Sequence, residues 1–263
     1  MRLHRILALV GRHLMLYRRS PTRIMEIVYW PLLDLLVWGF ITVYLAQFRE
    51  GLPAFVTFFI GALILWDILF RAQQGICISF LEEIWSRNFL NLFVSPLRTG
   101  EYLASIMVVS ILKVTAAATF TVVIALLLYD FNIFIIGVSL VPFVFNLVIM
   151  GWAVGIMTTA IILRYGQQAE VLAWGLAFLF QPISAVFYPV SVLPGILQVI
   201  AQVIPAAHIF EGMRAVINTQ AFPAEELIWA TGLNVFYIWG SIVFFNWMFR
   251  RVKDKGLLVR VGE

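Results

Sequence analysis

Charged residues are scarce in this sequence of 263 residues, at 12%, whereas soluble domains have about a quarter. The hydrophobic share is 62%, and a soluble protein of this length would expose large apolar patches with such a composition. A bilayer removes this difficulty, because its interior is apolar. The composition therefore predicts an all-α, polytopic integral membrane protein.

Cysteine, histidine and catalytic motifs are also rare or missing. Cys77 is the single cysteine, which excludes an internal disulfide and a cysteine metal cluster. The sequence has no G-x-x-x-x-G-K-[S/T] phosphate loop, no H-E-x-x-H and no G-x-S-x-G. We therefore expect no catalytic centre, no metal site and no cofactor on this chain, which moves a substrate without transforming it.

Six stretches are long and apolar enough to cross a membrane, which takes about 17–25 helical residues. They lie near 27–46, 53–70, 102–129, 133–163, 171–188 and 227–249. Of the 18 lysines and arginines, fifteen fall on the side of the N-terminus, Arg49 and Arg214 fall on the other side, and Lys113 lies within a span. By the positive-inside rule, both termini are predicted to be cytoplasmic in the plasma (inner) membrane.

The first 23 residues are predicted to form an amphipathic helix in the inner interface. The apolar stripe, at spacings of three and four, comprises Leu3, Ile6, Leu7, Val10, Leu14 and Tyr17. Arg5, Arg12 and Arg19 recur on roughly the opposite side, and we expect them to face lipid headgroups and cytosol. The arginines also leave no apolar run that resembles a cleavable signal peptide. A polar tail with chance periodicity is the alternative.

The segment over 79–98 is the largest predicted cytoplasmic excursion. It reads as a short amphipathic helix that Pro96 ends, with Glu82 and Glu83 among large apolar residues. Its wet side is a natural docking surface for a cytoplasmic partner, so lysine at both glutamates should uncouple that partner without unfolding the protein. A helix that rests on the protein's own membrane domain fits the pattern equally well.

The segment over 189–222 is apolar, but Pro194 and Pro205 divide it into pieces of about eleven residues, or roughly 16 Å of helix. Neither piece can cross ~30 Å of hydrocarbon. We predict two re-entrant half-helices in the outer leaflet, buried in protein or lining a wet cavity. On the second half-helix, Arg214 is expected to be held by Glu211 or by a backbone carbonyl.

Three charged residues, Asp34, Asp67 and Lys113, lie within the predicted spans. An unpaired charge at this depth costs at least ~2.5 kcal/mol. We interpret Lys113 as paired with one of the aspartates in a structural tie, with substrate binding as the alternative.

Aromatic residues are dense in the predicted spans. Three of them, Trp38, Trp174 and Phe178, lie deep enough to line a pathway for sugars or flat amphiphiles. Lipid-facing or helix-packing positions are the ordinary alternative for each one.

Three segments carry a resemblance to a known family. They are 87–102, which contains Pro96-Leu97, the predicted inner loop 163–170, and 187–214 with its spaced prolines. They are similar to the coupling segment, the inner loop and the outer motif of the ABC-2 permeases, which are membrane subunits of exporters for polysaccharides, lipo-oligosaccharides and drugs. Asn88 and Asn91 depart from the pattern, since the family often has glycine and an acidic residue there.

The resemblance implies one ABC-2 transmembrane domain over 1–263, with an interface helix (1–23), a coupling segment (79–98), outer half-helices (189–222) and a cytoplasmic tail (250–263). It also implies a homodimer, or a heterodimer with another permease, on two cytoplasmic ABC ATPase subunits that hold the ATP and Mg. No nucleic acid is implied.

The same resemblance implies the roles of individual residues. Those for ATPase coupling would be Glu82, Glu83, Trp85, Arg87, Asn88, Asn91, Arg5 and Arg12. Those for the outer gate would be Tyr188, Pro189, Leu193, Pro194, Pro205, His208, Glu211 and Arg214. The first and fifth spans would form much of the pathway and of the dimer contact.

Two other functions stay open on the sequence alone. An ion-coupled secondary transporter would be expected to have more mid-span carboxylates. A non-transporting scaffold has no need of two proline-delimited half-helices. The preferred interpretation is therefore the permease subunit of an exporter that moves an amphipathic glycan, lipid-linked or drug-like substrate out of the cytoplasm.

Overall fold

The computed structural model describes residues 2–46 and 53–256, which are almost entirely helical. The helices are α1 (Leu3–Arg18), α2 (Pro21–Ala46), α3 (Pro53–Trp85), α4 (Phe89–Val94), α5 (Thr99–Tyr129), α6 (Leu140–Tyr165), α7 (Leu172–Ile183), α8 (Gly195–Gln202), α9 (Pro205–Thr219) and α10 (Ala224–Asp254). Short 3₁₀ segments cover Ile133–Ser139, Gly166–Ala169 and Val190–Val192. The described residues contain no strand, and the predicted all-α class is confirmed.

Five helical segments are long and apolar enough to cross a membrane: α2, α3, α5, α6 with the 3₁₀ turn before it, and α10. They correspond to five of the six predicted spans. The fifth prediction, 171–188, is too long, because α7 has 12 residues, about 18 Å. Pro182 lies in its last turn, and the chain then reverses through Ala185, whose φ of 51° is left-handed. Helix α7 alone is therefore shorter than the hydrocarbon core.

The proline-divided segment forms two short helices, as predicted. Pro194 precedes α8 and Pro205 is the first residue of α9, a position where the missing N–H has no cost. The two helices meet at an angle of 96°. At its other end, the chain is described to Gly256, so the rest of the tail predicted over 250–263, like Arg49 on the predicted outer side, lies outside the described residues.

Helix α3 is the centre of the molecule. Of the residues in its most apolar stretch, 67% are buried inside the protein, whereas the corresponding share is 17% for α2 and 22% for α5 and α10. The sequence predicts a span that ends near residue 70 and a separate helix from 79, but α3 continues without a break to Trp85. The continuation is stable because Ile76, Phe80, Leu81 and Ile84 are buried in the core. The helix is thus about 50 Å long.

Glycines bring α3 and α6 close together. A Cβ atom on Gly151 would lie 2.5 Å from the Leu69 carbonyl oxygen and 2.6 Å from the Ala72 Cβ atom. A Cβ atom on Gly155 would lie 2.9 Å from the Gln73 carbonyl oxygen. This Gly-x-x-x-Gly spacing allows membrane helices to pack backbone against backbone.

We expect Gly151→Ala to lower the free energy of unfolding by about 1–3 kcal/mol, because the added methyl group overpacks the contact with α3. Reversible denaturation in detergent measures the change. Gly240→Ala on α10 is the matched control: its new Cβ atom meets open space, and alanine favours helix over glycine by about 1 kcal/mol. Equal stability of Gly151→Ala and wild type would contradict the close contact.

Helix α1 is amphipathic, but its orientation differs from the prediction. Arg5 and Arg12 face the protein, where they meet Glu101 and Glu83, and Val10 is buried beside them. The exposed members of the predicted stripe are Leu3, Leu7 and Leu14. The expectation that the arginines face headgroups and cytosol is therefore wrong for Arg5 and Arg12, because carboxylates at the ends of α3 and α5 attract them.

Candidate functional site

A group of charged side chains joins α1 and α2 to the end of α3. This inner charge cluster comprises Arg12, His13, Arg23, Glu82 and Glu83. Arg12 Nη2 lies 2.7 Å from Glu83 Oε2, and Arg23 Nη1 lies 3.0 Å from Glu82 Oε1. The fully buried His13 ring lies between the carboxylates, with Nδ1 3.6 Å from Glu82 and Nε2 3.6 Å from Glu83. The cluster therefore connects three helices through two buried carboxylates.

Neutral donors extend the inner charge cluster. Asn88 Nδ2 donates to Glu83 Oε2 at 2.9 Å, and Tyr17 Oη donates to Glu82 Oε1 at 3.4 Å. Burial, and then the neighbouring Glu82 charge, raise the pKa of Tyr17 above its usual value. The Tyr17 hydroxyl therefore keeps its proton and acts as a donor to the carboxylate.

A second carboxylate attaches the start of α1 to the start of α5. Glu101 accepts from the backbone N–H of Arg2 at 2.8 Å and from that of Arg98 at 3.1 Å. Arg5 Nη1 lies 3.3 Å from Glu101 Oε2 and also donates to the Pro96 carbonyl. Helix α1 is thus held at its start by Glu101 and Pro96 and further along by Glu82 and Glu83.

Glu82 and Glu83 do not lie on an exposed docking surface. Glu82 is 8% exposed and Glu83 is 0% exposed. The expectation that these two residues are exposed to solvent is therefore wrong. The reason is that the end of α3 is covered by α1, whose basic side chains neutralise the carboxylates. The alternative interpretation, a helix that rests on the protein's own domain, describes this part of the segment.

The exposed part of the predicted coupling segment begins at Trp85, two residues after Glu83. Trp85 is 47% exposed, and its Nε1 donates to Glu170 Oε2 at 3.2 Å. Arg87, which is left-handed with φ of 53°, and Asn91 are exposed, and Val94 follows at the end of α4. Residues 85–94 and the inner loop therefore share one surface.

Arg214 binds the turn between α7 and α8. Its Nη2 atom donates to the carbonyls of Ala185, Val186 (3.2 Å) and Tyr188 (2.6 Å), and its Nη1 atom lies 3.0 Å from Glu211 Oε1. The prediction that Arg214 is held by Glu211 or a carbonyl is confirmed, and both kinds of partner are present. The guanidinium holds a turn that includes the left-handed Ala185.

The remaining predicted gate residues surround this outer turn. Glu211 Oε1 accepts from the Val190 N–H at 2.6 Å, and Tyr188 Oη donates to the Pro182 carbonyl at 2.8 Å. The others flank the turn or the short helices: Pro189, Leu193, Pro194 and Pro205. Together they form a hydrogen-bonded turn packed against α9.

His208 belongs to a different contact on α9. Its Nδ1 atom lies 2.6 Å from Glu226 Oε2, and its Nε2 atom lies 2.9 Å from the Gln202 carbonyl oxygen. The His208 ring also stacks on Trp229 of α10. His208, one of the predicted gate residues, thus contacts α10 and not the turn that Arg214 binds.

Lys113 does not pair with either predicted aspartate. Its Nζ atom donates to Ser79 Oγ at 3.2 Å and lies 4.5 Å from the centre of the Tyr17 ring. Asp67 Oδ1 accepts from Arg71 Nε at 3.1 Å. The predicted tie is wrong, because Arg71 reaches Asp67 from one turn further along α3.

A cleft of about 370 Å³ opens between α2, α3 and α7. Two of the aromatic residues predicted for the pathway line it, Trp38 and Phe178, and they are 46% and 50% exposed. Phe178 packs on Phe70 with ring centres 5.0 Å apart. Both intramembrane aspartates also line the cleft. The third predicted residue, Trp174, is exposed on α7 outside this lining.

Sequence reasoning missed several of these residues. The Gly151–Gly155 spacing was a readable signal for a close helix crossing. His13 and Arg23 had no comparable signal, because only the packing of α1 and α2 against α3 brings them to the glutamates. The described residues contain no group of three or more histidine, cysteine, aspartate or glutamate side chains that could hold a metal ion.

The fold and these contacts define a multi-pass helical membrane protein in which two short helices, α8 and α9, meet at a sharp angle. A model of the ABC-2 type transporter family matches residues 4–218. The chain belongs to this family of ABC transporter membrane subunits, which have no catalytic centre of their own and work with an ABC ATPase. A search of curated proteins found no match.

Proposed function

We propose that this chain is the permease subunit of an ABC exporter, which moves an amphipathic substrate out of the cytoplasm with energy from ATP hydrolysed on a separate subunit. Two copies of the chain would bind two ATPase subunits. Both termini would be cytoplasmic in the plasma membrane, as the distribution of lysine and arginine predicts.

The observation that carries this proposal is the continuity of α3. Its inner end holds Glu82, Glu83 and the exposed Trp85, its middle lines the aromatic cleft with Trp66, and its outer end places Phe58 4.7 Å from the Arg214 guanidinium. One helix thus contacts the coupling segment, the cleft and the outer turn. Such a rigid element can carry a displacement from one side of the membrane to the other.

The proposed ATPase contact is the surface formed by residues 85–94 and the inner loop. Glu82 and Glu83 are buried under this surface. Through Arg12 and His13 they transmit to α1 the displacement of α3 that the ATPase causes. The exposed faces of α2 and α7, which include Trp38 and Phe178, are the proposed contact with the second copy and the wall of the pathway.

Purification from the native host in mild detergent tests the proposal. We expect a companion polypeptide with a phosphate loop in whole-number ratio to this chain. A chain that purifies alone, and whose transport collapses with an ion gradient and not with ATP depletion, would favour the ion-coupled alternative.

Arg87→Glu is expected to reduce the co-purified ATPase at least about tenfold, since reversal of an exposed charge disrupts complementarity at an interface. The thermal midpoint of the permease itself should stay near that of wild type, because Arg87 is exposed. Arg250→Glu, at an exposed arginine on α10, is the matched control and should retain the ATPase. Full ATPase recovery with Arg87→Glu would move the contact elsewhere.

A further inference from the structure

The two aspartates that line the aromatic cleft differ in their partners. Asp67 is paired with Arg71, which reaches it at 3.1 Å. Asp34 makes no hydrogen bond or ion pair in the part of the chain that the structure describes, and Arg71 acts on its charge only at longer range. The cleft is thus lined by two carboxylates, and the guanidinium of Arg71, which is not part of the lining, neutralises that of Asp67. With both carboxylates ionised, the cleft has one negative charge in excess.

This charge lies near the middle of α2. Asp34 follows Pro21, the first residue of the helix, by about 20 Å of helical rise. A carboxylate at that depth is costly, and residues of this kind usually face a cavity or a substrate path. Asp34 faces the cleft, where a positively charged ligand would offset the cost.

The other walls of the cleft suit an organic cation. Trp38 and Phe178 present half-exposed rings, and Phe70 and Phe187 extend the same wall. The faces of aromatic rings attract ammonium groups, most strongly when water is excluded. The volume of about 370 Å³ is within the range of small-molecule sites, about 300–1,000 Å³.

We propose that this cleft binds a monovalent amphiphilic cation, with a protonated or quaternary amine at Asp34 and an apolar body against Trp38 and Phe178. This inference rests on the proposed export function, whose substrate class it names. An anionic head group would be repelled by Asp34, and an uncharged sugar would leave the carboxylate desolvated without a counter-ion.

Equilibrium dialysis of the full chain in maltoside detergent tests this proposal with two probes of nearly equal size and shape. They are tetraphenylphosphonium, a cation, and tetraphenylborate, an anion, each corrected for binding to protein-free micelles. We expect saturable phosphonium binding, one per chain, and no saturable borate binding. Equal binding of the two ions would overturn the proposal.

Asp34→Asn is expected to weaken phosphonium binding at least tenfold, and Asp34→Glu to restore most of it. Asp130→Asn is the matched control, since Asp130 lies at the end of α5 outside this cleft in a left-handed conformation that asparagine also adopts. Unchanged affinity with Asp34→Asn would overturn the proposal. If Asp34→Asn does not fold, the preference of wild type for the cation decides.

The experiments distinguish a failure of the export function from a failure of the cation site. Phosphonium binding is measured without an ATPase, so the absence of a companion ATPase would overturn the export function and leave the cation site standing. A complex that contains the ATPase but binds both ions equally would overturn only the cation site.

Discussion

A Glu83→Lys chain should accumulate little folded protein in the membrane. Glu83 is fully buried and accepts from Arg12 and Asn88, with His13 beside it. Loss of one partner from a fully buried ion pair costs about 3–5 kcal/mol, and the cost here lies toward the lower end because the Arg12 side chain is 34% exposed. Lysine would add another cation beside Arg12. A cost of this size is a large part of a typical total stability of about 5–15 kcal/mol. Size-exclusion chromatography in detergent, followed by a thermal melt, measures the loss.

The exchange Arg12→Glu with Glu83→Arg should recover part of the folded protein, because it restores opposite charges at the same two positions. Arg87→Glu, a charge reversal on the exposed side of the same segment, is the control and should fold. Normal accumulation and an unchanged thermal midpoint of Glu83→Lys would contradict the buried cluster. The result expected here differs from that of the sequence alone, which placed Glu83 in water.

Arg214→Ala is expected to lower export at least about tenfold while the ATPase stays bound. Three backbone carbonyls and Glu211 lose a shared cationic donor, and each buried polar group left unpaired costs about 1–3 kcal/mol. The turn after α7, with Ala185 in a left-handed conformation, would then lose its fixed shape. ATP-dependent uptake into inverted vesicles, whose cytoplasmic face is outside, and co-purification of the ATPase, measured on the same preparation, separate gating from assembly.

Arg214→Lys should give an intermediate rate, because lysine keeps the charge but lacks the planar fork that binds several acceptors at once. Arg250→Ala, at an exposed arginine near the end of α10, is the control for the loss of a positive charge and should export normally. Full export by Arg214→Ala would remove any gating importance from the Arg214–Glu211 pair.

The parts predicted correctly from the sequence depend on local patterns. Apolar length marked the crossing helices, and Pro194 and Pro205 marked the two short helices, because proline lacks an N–H and suits the start of a helix. Proline alone does not decide a boundary, since Pro31 and Pro182 lie inside helices. Arg214 and Glu211 were found together because residues three apart share one face of a helix. The resemblance to the ABC-2 family was confirmed by a match over residues 4–218.

The parts predicted wrongly depend on contacts between distant segments. The helical periodicity of 79–94 is the same for a separate surface helix and for the last turns of a long buried helix. The periodicity therefore could not predict that α3 continues to Trp85. The Lys113 pairing failed for the same reason, since three charges within spans allow several pairs. Asp67 pairs with Arg71 because the two side chains lie one turn apart on the same helix and can reach each other.

The sequence by itself determined that this chain is an all-helical membrane protein, because composition, apolar length and proline positions act locally and leave few alternatives. Its membership of the ABC-2 family rests on the resemblance of particular segments and on the family match. Tertiary structure decided which charges meet. Packing of α1 against α5 and the end of α3 turned Arg12 and His13 inward onto Glu82 and Glu83. Separately, the packing of α2, α3 and α7 left Asp34 facing an aromatic cleft. A charge taken out of water is costly unless a partner offsets it. Which partner lies close enough to do so depends on three-dimensional packing.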